Sequence, residues 1–103
     1  MATYLFSYRA PAGYQPGGAD AAERWKAWFQ SLGSSVHTLG NPVGETAEVG
    51  NCGPGTRLGG YSLITADDHE AALAIAKSCP AVEMGAGLDV GQLIEVPREA
   101  RPA

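Results

Sequence analysis

Apolar residues along this chain switch period in an ordered way. At the start, Thr3-Tyr4-Leu5-Phe6-Ser7-Tyr8 alternates, which predicts a strand with Tyr4, Phe6 and Tyr8 on one face and Leu5 and Ser7 on the other. Ala10 to Gly18 breaks the pattern with Pro11, Gly13, Pro16, Gly17 and Gly18, and predicts a loop. Trp25, Trp28, Phe29 and Leu32 then recur at helical spacing, with Arg24, Lys26 and Gln30 turned away. This predicts a helix over about Ala21 to Leu32, opened by an Asp20–Glu23 capping arrangement and stopped by Gly33. Ser35 to Leu39 returns to a strand pattern.

The stretch from Leu58 to Pro80 is the most informative. Tyr61-Ser62-Leu63-Ile64-Thr65 is β-prone and follows a glycine pair. Asp67, with Glu70 three residues on, predicts an N-cap, and Ala71 to Ala76 are mostly strong helix formers. Lys77 suits the negative end of the helix and Pro80 cannot continue it. Val82 to Gly87 reads as a connector, and Asp89 to Val96 alternates as a final strand. Between the halves, Gly40 to Gly60 holds Gly44, Gly50, Gly53, Gly55 and Gly59 as well. A structureless loop of that length is unusual, so Thr46 to Val49 is expected to form half of a local hairpin.

The order β-α-β, glycine-rich excursion, β-α-β predicts an α+β, ferredoxin-like βαββαβ fold. With right-handed crossovers it makes a four-stranded antiparallel sheet with two helices on one face. Apolar residues fall on both sheet faces, since Leu5 opposes the tyrosines and Leu63 and Leu93 oppose Ile64 and Ile94. Covering the second face with another copy predicts a homodimer with sheets packed face to face.

Composition narrows the function classes. With 103 residues the chain suits one domain, expected over 1–97, followed by a disordered polar tail over 98–103. Seven Lys and Arg against eleven Asp and Glu leave a net charge of -4, with no basic run, which argues against nucleic acid as a partner. No stretch approaches the roughly 20 apolar residues of a membrane helix, and no signal peptide is recognised at the N-terminus. Two cysteines without metal-type spacing fit reduced thiols in a cytoplasmic protein.

L-G-G-Y-S-L-I-T-A-D-D-H-E-A-A-L-A-I-A-K-S-C-P at 58–80 and V-G-Q-L-I-E-V at 90–96 resemble the YCII-related family. That resemblance implies the dimeric α/β-barrel version of the ferredoxin-like fold. W-K-A-W-F-Q-S-L-G at 25–33 and G-N-P-V-G at 40–44 look like a small, mostly uncharacterised branch of it. Relatives in the family are proposed to use a histidine–aspartate pair, and some carry a D-G-P-F motif before the third strand. Here Asn51-Cys52-Gly53-Pro54-Gly55 keeps only the glycine and the proline of that motif.

Several catalytic signatures are absent. His69-Glu70 lacks the second histidine of a zinc-protease motif, since Leu73 stands four residues on. Gly53-Pro54-Gly55 leads into a strand, whereas a phosphate cradle needs a helix N-terminus. Neither a G-x-S-x-G elbow nor a P-loop occurs, and neither a cofactor nor a metal is expected. His37 is the candidate for proton transfer, as base or acid near neutral pH, or else a strand histidine facing solvent or a dimer partner. Tyr8 and Tyr61, with Asn41, are the candidate ligand contacts. The tyrosines would line an apolar cleft or simply belong to the core, and Asn41 would anchor a ligand or hold a turn. Trp25 and Trp28 are core or cleft wall, and His69 is expected to be exposed. The function expected is cofactor-independent proton-transfer or hydrolytic chemistry on a small molecule, or a non-catalytic dimeric module that binds a small ligand or a protein.

Overall fold

The first strand, β1 (Ala2–Pro11), runs through the middle of the sheet in the computed structural model, which describes residues 1–14, 17–97 and 99. Its alternation works as the pattern predicts: Tyr4, Phe6 and Ala10 are buried under the helices, while Leu5 and Ser7 lie on the other face. The remaining strands are β2 (Val36–Thr38), β3 (Thr56–Ala66) and β4 (Gly87–Gln92). They pair antiparallel in the order β2-β3-β1-β4, the ferredoxin-like arrangement, with the helices on one face.

Strand ends follow from who is left to pair with whom. β3 is longer than Tyr61 to Thr65 because its glycines do not end it. Tyr8 pairs with Gly60 and Arg9 with Leu58, so Gly59 is the extra residue of a bulge and the ladder resumes beyond it. β4 stops short of the predicted Val96. Gln92 pairs with Tyr4 and the Leu93 N–H still reaches the Thr3 carbonyl at 2.9 Å, after which β1 has almost no residues left to offer. Thr46 to Val49 does not form the expected hairpin half; residues 44–55 are exposed and no strand crosses them. That stretch carries too few apolar side chains to offset the entropy of ordering it against the sheet.

Both helix starts need correction. α1 (Ala19–Leu32) begins earlier than predicted, since Ala19 already favours helix. Gly18 takes the cap position without a side-chain bond, and Asp20 sits inside the first turn, complementing the helix dipole rather than capping. In α2 (His69–Lys77) the cap is Asp68, not Asp67: its carboxylate accepts the Ala71 N–H at 2.8 Å. Ala71 is the third helical residue counted from Asp68, the reach a short aspartate makes. Pro80 is a stop and also a start. It occupies the first position of α3 (Pro80–Glu83), where its missing N–H costs nothing, so the expected connector at Val82 is partly helical.

The two long helices bury different kinds of face. α2 presents Ala72 and Ala76, small enough to let it lie close against β3 and β4. α1 presents Trp28, with Trp25, Phe29 and Leu32 packed beside it, and these rings hold it off the sheet. Tyr4, Phe6, Ile64, Ala66, Cys79 and Ala81 complete the core. The Trp28 indole N–H donates to Ser78 Oγ at 2.9 Å, tying α1 to the end of α2. An exposed Arg24–Glu83 ion pair joins α1 to α3. Of the tail expected at 98–103, only Glu99 is among the described residues, and Pro16 in the first loop also lies outside them.

Candidate functional site

Where the aromatic face of α1 stands away from the sheet, a cleft of about 480 Å³ opens, within the range of small-molecule sites. Trp25 and Phe29 form the α1 wall and Tyr8 the sheet wall. The Trp25 and Tyr8 rings meet edge to face at 5.0 Å between centroids, and Trp25 packs on Phe29 at 5.9 Å. Ala21 and Ala22 leave room at the entrance end of the helix, and Tyr14 closes toward Met84, its hydroxyl 3.9 Å from the sulfur.

The Gly40-Asn41-Pro42-Val43 stretch forms the remaining wall by continuing β2 along the edge of β3. The Tyr61 N–H donates to the Asn41 carbonyl at 3.2 Å and the Val43 N–H to the Gly59 carbonyl at 3.0 Å, while Pro42 bridges Gly60. Proline is tolerated there because it lies on the edge. Gly40 has φ +78°, and a Cβ on it would lie 1.8 Å from the Tyr61 carbonyl oxygen. Only glycine lets the backbone approach this closely.

A short hydrogen-bond chain crosses the floor. The Tyr8 hydroxyl donates to Ser62 Oγ at 2.9 Å, and the Ser62 hydroxyl donates to the Leu39 carbonyl at 2.7 Å. Ser62 is fully buried on the core-facing side of β3, so it needs both partners. Burial pushes the Tyr8 phenol far above its ordinary value; the bond to Ser62 opposes this and a smaller push from Cys79 adds to it. The phenol is therefore a fixed neutral group. The charged side chains on the cleft are Arg9 and Arg57. Arg9 is engaged by Thr56, through Nε to Oγ1 at 3.1 Å and Nη2 to the carbonyl at 3.3 Å. Arg57 has no hydrogen-bond or ion-pair partner among the described residues.

Of the candidate residues, the structure brings Tyr8, Asn41 and Tyr61 together on the cleft. Tyr61 borders it at the sheet edge, but its pairing with Ser7 puts its ring on the face away from the helices, with its hydroxyl 3.4 Å from Asn41 Oδ1. His37 lies outside: it is exposed on β2, with Nδ1 3.0 Å from Thr38 Oγ1, and the chain turns into the cleft wall only at Leu39. His69 is exposed and packs its ring 5.9 Å from Tyr4. Cys79 is buried, and burial raises its thiol to about 11 despite the opposing N–H groups of Ala81 and Val82.

Reading the sequence missed Ser62, Leu39, Arg57, Tyr14 and Met84. Ser62 carried a signal: it shares the face of Ile64, and a hydroxyl on a core-facing strand position must find partners. The others come from loops or ends whose placement is tertiary. Among the described residues no group of three or more His, Cys, Asp or Glu could hold a metal, and no helix is long and apolar enough to cross a membrane.

No family model matches the chain, and no curated protein matches it in sequence. Its fold is similar to a solved structure of 5-chloro-2-hydroxyhydroquinone dehydrochlorinase from Burkholderia phenoliruptrix AC1100, in complex with 2,5-dihydroxybenzoquinone. The TM-score is 0.60 at 15% sequence identity, over 91% of this chain and 95% of that one. At this identity the likeness is one of fold.

Proposed function

We propose that this protein binds a small, largely apolar, ring-sized molecule in the cleft between α1, β3 and the Gly40–Val43 edge. The observation that carries this reading is the cavity itself: about 480 Å³ walled by Tyr8, Trp25 and Phe29, with polar groups confined to its floor and mouth. The solved structure of similar fold holds an oxygenated six-membered ring, which supports a ligand of that size, and the YCII-like residues at 58–80 support a small-molecule role. Tyr8 is the proposed side-chain contact, with Asn41 and Tyr61 proposed as the edge that borders the ligand. Small-molecule binding is favoured over His37-dependent chemistry because the imidazole does not face the cleft.

A protein-observed NMR titration with small ring compounds tests the site. Shifts should cluster at Tyr8, Trp25 and Gly40 to Val43; shifts elsewhere only, or none, would overturn it.

The same reading includes a homodimer through the open sheet face and a cytoplasmic location. Supporting the dimer, Leu5 and Leu63 lie on that face, and by alternation Leu93 joins them at 46% exposure. The location is supported by Cys52 and Cys79, which remain unpaired thiols.

A further inference from the structure

The floor of the cleft has a direction, and that direction selects a ligand. The Leu39 carbonyl can only accept, so at 2.7 Å the single proton of Ser62 must go to it. Ser62 then has only lone pairs to offer Tyr8, so at 2.9 Å the Tyr8 proton must go to Ser62. Both protons are committed, and the Tyr8 oxygen faces any further partner as an acceptor. Reversing the chain would leave the Leu39 carbonyl without its donor. Burial of the phenol keeps it from ionising, so the direction holds across the ordinary pH range.

The mouth adds a second demand. In a chain of net charge -4, the charged side chains lining this cleft are both arginines, and Arg57 has no partner among the described residues. Arg57 pairs with Ala10 in the register, on the same face as Tyr8's side of the sheet beyond the bulge. From Arg57 to Ser62 the strand covers about 16 Å, less what the bulge removes. An arginine side chain spans part of that distance, leaving the length of one ring substituted at both ends.

We infer that the ligand, on the ring-binding reading above, is a small aromatic acid whose hydroxyl donates to Tyr8 Oη while its carboxylate meets the Arg57 guanidinium. Ser62 is a positioning residue: it touches Tyr8 and fixes the sense of the bond. A ring that presents only a carbonyl or an ether oxygen to Tyr8 meets a second acceptor.

The wild-type protein tests this with three probes: 4-hydroxybenzoate, 4-methoxybenzoate and 4-fluorobenzoate. The last two keep the carboxylate and lack the donor, one being larger and one smaller than the first. Affinities from NMR titration of the cleft signals should favour 4-hydroxybenzoate about tenfold over both. Tyr8→Phe should erase that preference, and Arg57→Gln should weaken all three probes together. Equal affinities in the wild type would overturn the donor assignment while leaving the ring site standing. Unchanged affinities in Arg57→Gln would overturn the carboxylate assignment. If no probe moves the cleft signals, the proposed site falls and this inference with it. The wild-type comparison decides the donor question even if Tyr8→Phe does not fold.

Discussion

Single residues in this protein act through whether their polar atoms are matched. Asp68 supplies one orphaned helix donor with an acceptor, so Asp68→Ala should cost about 1 kcal/mol in urea unfolding, while Asp67→Ala, which removes no cap, should change little. Cys79 shows the opposite balance, in which burial outweighs two nearby N–H groups and holds the thiol neutral up to about 11. An acid whose native value is raised contributes stability that is complete below its unfolded value. Between pH 9 and 11 the unfolded chain releases the Cys79 proton before the native one does, so stability must fall as pH rises through that window. The fall attributable to Cys79 is on the order of 2 kcal/mol. Urea midpoints at several pH values in wild type and Cys79→Ala would check it: the variant should show a shallower decline. Tyr8, raised in the same sense, should add to the decline in both proteins once the pH passes the ordinary tyrosine value of about 10.

At the scale of elements, the contrast between α1 and α2 creates the cleft. Alanines at 72 and 76 bring α2 down on β3 and β4, whereas the rings of Trp25, Trp28 and Phe29 keep α1 away. The opening is then walled on its far side by the Gly40–Val43 edge, which depends on Gly40. Gly40→Ala would put a methyl into a positive-φ position against the Tyr61 carbonyl. It should destabilise the fold by at least about 2 kcal/mol and shift the NMR signals of Asn41 to Val43 and Tyr61. An unchanged melting temperature would show that this edge is not packed as described.

The whole molecule is a two-layer sandwich whose sheet carries helices on one side only. Antiparallel sheets can leave one face to water, but Leu5, Leu63 and Leu93 make this one more apolar than that requires. Light scattering should therefore give a mass near twice the 10.6 kDa of the chain at micromolar concentration. Leu63→Lys, which puts a charge in the middle of that face, should shift the protein to monomer with its circular dichroism retained. A monomeric wild type would remove the face-to-face dimer.

What the sequence determined by itself was periodicity and its breaks, because these are local. The alternation of Tyr4, Phe6 and Tyr8, the helical spacing of Trp25 to Leu32 and the alanine-rich run before Pro80 were enough to order the elements into a ferredoxin-like fold. Their ends were less legible: Glu70 three residues on points to Asp67 as the cap, whereas the extended backbone at Asp68 makes that residue the cap instead. Likewise Val96 reads as strand until the pairing shows that β1 has run out. The site was legible in part. Tyr8, Asn41 and Tyr61 could be named, yet the cleft they share exists only because α1 stands off the sheet and Gly40 to Val43 lies along β3. Tertiary structure alone decided that the Leu39 carbonyl sits beneath Ser62, and through it the one direction in which the Tyr8 proton can point. Hydrogen bonds between residues 23 and 54 positions apart leave no periodicity in a chain.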